Sequence, residues 1–104
     1  MVDIQNIANK IEPFMDDMES IQMVQQIIIE MDSDDDSEVP NKMMALLIKF
    51  GFGPSDGICK FESGLVHNFK TGKKESRIKL NLTDNRDIYL WVEDNTIRTS
   101  LPMD

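Results

Sequence analysis

The sequence predicts an α+β fold in which about three N-terminal helices pack on one face of a C-terminal antiparallel β-meander of three to five strands. Through residue 51, apolar residues recur every three or four positions, which is typical of amphipathic helices. After residue 57 they recur every second position, which is typical of strands joined by short turns. A length of 104 residues suits one domain, with a helical part at 1–51, an acidic linker at 32–38 and a β part at 57–102.

Three helices are predicted in the first half. The first carries isoleucines at positions 4, 7 and 11, with Asp3 as its N-cap and Pro13 ending it. The second has the clearest helical pattern and ends near Met31. Its apolar stripe is Phe14, Met18, Ile21, Val24 and Ile28. In the third helix, Pro40 suits the first turn and Gly51 suits the C-terminal cap.

Strands are predicted at 58–63, 65–69, 77–82 and 87–92, with a last strand around 97–101. Gly64 is expected to separate the first two, and turns are expected at 70–74 and 83–86. Strands joined by short turns pair as antiparallel neighbours. The aliphatic face of 77–82 and 87–92 is predicted to meet the helices, which leaves Tyr89 and Trp91 pointing outward as partner contacts.

The net charge of −8 arises entirely in the first half of the chain. Through Phe50 there are eleven acidic and three basic side chains, whereas from Gly51 onward eight acids balance eight bases. Such a charge distribution concerns partners rather than fold. The acidic end is expected to repel nucleic acid and to attract basic surfaces.

The acidic run at 32–38 is the most conspicuous motif. Its carboxylates belong to Asp32, Asp34, Asp35, Asp36 and Glu38. Their alternation matches the first ligand positions of a calcium-binding EF-hand loop, but Ser37 replaces the glycine at position six and Met43 the glutamate at position twelve. No metal is therefore expected. The open interpretations are a solvated linker and a docking site for a basic partner.

A second acidic group consists of Asp16, Asp17 and Glu19, near the start of the second predicted helix. Carboxylates at this position are favoured by the helix dipole. Together with the acidic run, they form either an ordinary solvated surface or a set of charges that competes with nucleic-acid phosphates for basic sites.

Basic residues cluster around one predicted hairpin, next to the strand that carries Tyr89 and Trp91. They are Lys70, Lys73, Lys74, Arg77 and Lys79. Basic groups beside aromatic rings are typical of single-strand binding by base stacking. Exposed aromatic residues also anchor protein interfaces, and the net negative charge favours a protein partner.

No catalytic constellation, cofactor motif or metal-ligand spacing is recognised in the sequence. His67 is the only histidine, and Cys59, the only cysteine, is expected to be a buried small hydrophobe. A single cysteine favours a reducing cytoplasm, of the cell or of an infected host. No apolar run reaches the roughly 18 residues of a membrane helix.

These features predict a non-catalytic acidic binding protein. We expect a regulator or inhibitor that docks on a larger basic protein or nucleoprotein machine and binds neither nucleic acid nor membrane itself. Small phage-encoded inhibitors of host defence nucleases share this profile, an analogy of composition only. The alternatives are a nucleic-acid-binding accessory protein using 70–79 with Tyr89 and Trp91, and a structural subunit of an assembly. A second copy of the chain is an alternative partner.

Overall fold

The computed structural model describes residues 2–102 and confirms the predicted α+β arrangement. Within this range three α-helices precede four strands; the helices are α1 (Ile4–Ile11), α2 (Met18–Met31) and α3 (Val39–Phe50). The strands are β1 (Ile58–Asn68), β2 (Lys73–Leu82), β3 (Asp87–Glu93) and β4 (Thr96–Thr99). Short 3-10 turns span Glu12–Phe14 and Pro54–Asp56. The strands form one antiparallel meander in the order β1-β2-β3-β4.

The helix ends follow from capping chemistry. Asp3 caps α1 by accepting a hydrogen bond from the Asn6 N–H at 3.2 Å. Gly51 ends α3 with φ of 86°, a left-handed conformation that favours glycine. The predicted start of α2 is wrong: Phe14 lies in the preceding 3-10 turn, and the helix begins at Met18. The reason is Asp17, whose carboxylate accepts from the Ser20 N–H at 3.0 Å and so caps the helix.

Gly64 does not separate two strands, contrary to the prediction. β1 is continuous and places Gly64 opposite Arg77 of β2. Glycine is required there because a Cβ atom would lie 2.6 Å from Cε1 of the Tyr89 ring. The predicted turn at 70–74 is also too long, because Lys73 and Lys74 already pair with the end of β1.

The predicted sheet face packs on the helices. Ile78, Leu80, Ile88 and Leu90 are fully buried, whereas Val92 is half-buried. The helices fill the other side of the core with Ile7, Ile11, Ile21, Val24, Ile27, Met43 and Leu46. Alternation along the strands explains this arrangement, because every second side chain points to the same face.

The two edges of the sheet differ. At the β4 edge, the Ile97 N–H donates to the Met15 carbonyl at 2.8 Å, so the segment before α2 covers the strand. At the other edge, β1 pairs with β2 alone among residues 2–102. A bulge interrupts its register next to Cys59. The prediction that Cys59 is buried is wrong: the bulge leaves this side chain exposed.

Within residues 2–102, no helix combines the length and apolar character needed to cross a membrane.

Candidate protein-binding surface

The acidic loop, residues 32–38, joins α2 to α3, and all seven of its residues are exposed. Hydrogen bonds from its two serines order the loop. Ser33 Oγ lies 2.9 Å from the carbonyl oxygens of both Glu30 and Asp35, and donates to one of them at a time. Ser37 Oγ donates to Asp35 Oδ1 at 2.9 Å. These Ser37 hydrogen bonds lower the pKa of Asp35, which keeps its carboxylate ionised.

The five carboxylates of the acidic loop differ in their partners. Asp32 Oδ1 accepts from Ser76 Oγ at 2.7 Å, which ties the start of the loop to β2. Glu38 accepts from the Asn41 side chain at 3.3 Å. Within residues 2–102, the carboxylates of Asp34 and Asp36 have no hydrogen-bond or ion-pair partner. They are therefore free to meet a charge supplied by another molecule.

The second acidic group is already partly neutralised. Lys49 at the end of α3 lies 3.1 Å from Asp17 Oδ2 and 2.7 Å from Glu19 Oε1. Asp16 Oδ1 accepts from Thr96 Oγ1 at 3.2 Å. Hydrogen bonds from Ser20, followed by that from Lys49, lower the pKa of Asp17. These acids therefore connect α2 to α3 and to β4.

The structure does not bring the two acidic groups together. They lie at opposite ends of the 14-residue helix α2, about 20 Å apart at 1.5 Å per residue. Lys42 of α3 forms a salt bridge with Glu30 between them, which lowers the pKa of Glu30. The continuous carboxylate surface considered from the sequence is thus interrupted by α3 lysines, and the acidic loop remains as a separate patch.

Tyr89 and Trp91 lie on the sheet face away from the helices, but both are half-buried. The Tyr89 ring covers Gly64. The guanidinium carbon of Arg77 lies 3.8 Å from the centroid of the Trp91 ring, a cation–π contact. Trp91 also lines, with Asp32, a depression between α2 and the sheet. The Trp91 ring is therefore covered on one face by the chain's own Arg77.

Asp56 is a buried charged residue whose role the sequence analysis missed. Its carboxylate lies 2.9 Å from Lys10 Nζ and accepts from the Asn6 side chain at 2.8 Å and the Gly53 N–H at 2.7 Å. The Gly53 hydrogen bond, followed by that of Lys10, lowers the pKa of Asp56. The cluster fixes the joint between α3 and β1 against α1. A turn residue before Gly57 was the only local indication.

Exposed apolar side chains on α3 were also missed. Met44 and Ile48 belong to the helical apolar pattern, yet they are 60% and 65% exposed. They lie on the side of α3 that faces away from the core. Spacing alone could not distinguish this second stripe from the buried one of Met43, Leu46 and Phe50.

No group of three or more histidine, cysteine, aspartate or glutamate side chains within residues 2–102 is arranged to hold a metal ion. His67 is exposed, with its ring centroid 4.8 Å from that of Phe69.

No family model, curated protein or solved structure matches this chain. Geometry and charge alone therefore point to a function.

Proposed function

We propose that the protein is a non-catalytic binding protein that uses the acidic loop to dock on a basic surface of a larger protein or nucleoprotein. In this role it is a regulator or an inhibitor. The observation that supports the proposal is the concentration of five carboxylates in seven exposed residues, with Asp34 and Asp36 lacking any partner within residues 2–102.

The acidic loop is suited to fast, charge-led association. Carboxylates on one exposed patch attract a basic surface before contact and raise the association rate at low salt. Because the Ser33 hydroxyl already bonds to the loop backbone and the Ser37 hydroxyl to the Asp35 carboxylate, less conformational entropy is lost on binding. Both properties favour recognition of a protein over catalysis.

Basic surfaces that hold nucleic acid are suitable partners, since carboxylates compete with phosphates for lysine and arginine. The chain itself is expected to bind nucleic acid weakly, because its net charge is −8. The alternative role for Tyr89 and Trp91 in base stacking is disfavoured, because Arg77 occupies one face of the Trp91 ring. A submicromolar Kd for RNA or DNA at about 0.15 M salt would contradict this expectation.

The decisive experiment identifies the partner and then removes the loop charge. The tagged full chain is used to co-purify its partner from native cells, and association kinetics are measured at low and high salt. The triple variant Asp34→Asn, Asp35→Asn and Asp36→Asn should lower the association rate about tenfold and weaken its salt dependence.

The matched control carries the same change in net charge at exposed positions away from the loop. Its substitutions are Glu12→Gln, Asp84→Asn and Asp94→Asn. This control should retain most of the association rate, because the steering field is local at physiological salt. The proposal is wrong if both triple variants bind with the kinetics of the unmodified protein.

A further inference from the structure

The backbone hydrogen bonds of β2 show which groups of β1 are unpaired. The Leu82 N–H donates to the Arg86 carbonyl on the β3 side at 2.9 Å, whereas the next N–H, that of Thr83, donates to the Gly57 carbonyl on the β1 side at 2.8 Å. Successive residues of an antiparallel strand bond alternately to opposite neighbours. The odd-numbered residues of β2 therefore bond to β1.

The partners of those odd-numbered residues include Lys60 and Glu62, which lie opposite Asn81 and Lys79. The intervening residues of β1 consequently direct their N–H and C=O groups away from the sheet. These are Phe61, Ser63 and Leu65. We call this row the open edge. It is a ready template for an added strand, because each group still needs a hydrogen-bond partner.

An apolar groove runs beside the open edge. It has a volume of about 370 Å³ and lies between α3 and the start of β1. Met44 and Leu47 line it from the helix, and Phe61 lines it from the strand. A strand added to the open edge would direct alternate side chains into this groove, where they would be removed from water.

The charge changes along this groove. The next depression shares Pro40 and Phe61 with it and is lined by Asp36 and Glu62. Glu62 already pairs with Lys79 at 3.4 Å and with Lys60 at 3.9 Å, so Asp36 supplies the free carboxylate at this end. A segment in the groove therefore meets the Asp36 carboxylate at the Ser63 end of the strand and apolar side chains such as Met44 and Leu47 at the other end. Charge complementarity selects an occupant with basic residues at the first end and apolar residues beyond them.

We propose that the groove between α3 and the open edge binds an extended segment of the basic partner, which adds to β1 as an antiparallel fifth strand. This inference rests on the proposed function, since Asp36 of the acidic loop contributes to both. Because β1 runs from the apolar end to the acidic end, an antiparallel segment enters with its basic residues first. Recognition of extended segments by a strand edge beside a helix depends on main-chain hydrogen bonds, with pockets selecting alternate side chains.

The test uses a fluorescent eight-residue peptide with three N-terminal lysine and arginine residues followed by alternating valine and threonine. The expected result is saturable binding to the full chain. A peptide with the reversed order, apolar residues first, should bind about tenfold more weakly, because its lysines would then lie beside Met44 and Leu47 instead of Asp36.

Two N-methylated versions of the peptide test for strand addition itself. In each, alternate N–H groups of the apolar part are methylated, in one of the two registers. Only one side of an added strand faces β1. Methylation in one register should therefore reduce affinity about tenfold or more, and in the other register it should have little effect. Equal behaviour of the two versions would overturn the proposal while leaving acid-led docking intact.

A protein variant supplies the complementary test. Ser63→Pro removes an outward N–H and leaves the bonds to β2 unaltered, since proline is tolerated where an edge N–H faces solvent. It should weaken peptide binding about tenfold, whereas the matched variant Ser63→Ala should bind as the unmodified protein does. Circular dichroism melting confirms that each variant is folded.

A second copy of the chain is the competing occupant of the open edge. Sedimentation velocity of the full chain should show a monomer at micromolar concentration. A dimer that fails to bind the peptide and dissociates on Ser63→Pro substitution would overturn the proposal in favour of self-association. Loss of peptide binding in Ser63→Ala would also count against it, because this variant retains the backbone donor.

Discussion

The two edges of the sheet differ in length and in whether another part of the chain covers them. The β4 edge is four residues long, and the segment before α2 covers it with a backbone hydrogen bond from Ile97 to Met15 and a side-chain bond from Thr96 to Asp16. The β1 edge is eleven residues long and pairs with β2 alone among residues 2–102. Long bare edges invite pairing with other chains. The covered edge is therefore part of the folding unit, and the bare edge is the surface that we propose for association.

The largest expected effect is the difference in unfolding free energy between a substitution at the covered edge and one at the bare edge. Ile97 on the covered edge is fully buried, whereas Leu65 on the bare edge is 65% exposed. Ile97→Ala should lower the free energy of unfolding by about 2–5 kcal/mol, because it opens a cavity in the core. Leu65→Ala should change it by less than about 0.5 kcal/mol. Urea denaturation measures both, and equal losses would remove the distinction between the edges.

The stabilising contribution of Asp56, in the joint between α3 and β1, should be lost at acidic pH. Asp56→Asn should cost about 1–3 kcal/mol, since it weakens a buried hydrogen-bond cluster with Lys10 and the Gly53 N–H. The pKa of Asp56 is lowered from 3.8, so its stabilising contribution is present above that pH and is lost as the pH falls below it. The stability difference between the two proteins should therefore shrink below about pH 4.

Urea denaturation of the unmodified protein and of Asp56→Asn, from neutral to acidic pH, measures this difference in stability. Asp34→Asn is the control, because the Asp34 carboxylate has no partner within residues 2–102. It should leave the unfolding free energy within about 0.5 kcal/mol of the unmodified value. A constant difference for Asp56→Asn across the whole pH range would show that its charge does not stabilise the joint.

Position 64, on the outer face of β1, should tolerate glycine better than any larger residue. Gly64→Ala places a methyl group 2.6 Å from the Tyr89 ring, and should cost about 1–3 kcal/mol through overpacking. In a Tyr89→Ala background the same substitution should cost less, because the 2.6 Å contact is then absent and only Lys79 Cβ, at 3.2 Å, remains close. A double-mutant cycle measures this coupling. Additive effects would mean that the ring does not constrain the bare strand.

The smallest expected effect is at Trp91, which is half-buried under Arg77 on the outer face. Trp91→Ala should cost about 1 kcal/mol, the scale of an exposed cation–π contact, whereas Leu90→Ala at the buried neighbour should cost about 2–5 kcal/mol. Chemical denaturation of the two variants compares the faces of β3. A folded Leu90→Ala beside an unfolded Trp91→Ala would reverse the assignment of faces and weaken any comparison based on it.

Sequence patterns predicted the features that depend on near neighbours. Asp3 and Gly51 marked helix ends correctly because capping involves residues a few positions away. Phe14 has helical spacing but precedes the cap at Asp17, so the spacing alone placed the start of α2 too early. Gly64 was misinterpreted because the ring that requires it, Tyr89, lies 25 positions further along the chain.

The sequence predicted which charged residues lie on the candidate surface, but it did not predict which of them form ion pairs with each other. Exposure of the acidic loop followed from its charge density, whereas the neutralisation of Asp17 and Glu19 by Lys49 depends on how α3 packs against α2. The pair of Lys10 and Asp56 spans 46 positions and has no local pattern. The groove at β1 was missed because Met44 repeats the spacing of buried residues while it faces solvent.

The alternating bond pattern of β1 has a consequence for amide hydrogen exchange. The N–H groups of Lys60, Glu62 and Gly64 are held by β2 and should exchange only when the hairpin opens. Those of Phe61, Ser63 and Leu65 face water and should exchange rapidly in the native state. Amide exchange along β1 therefore reports whether the open edge is occupied. An added segment would slow the exchange of every second amide proton and leave the exchange of the others unchanged.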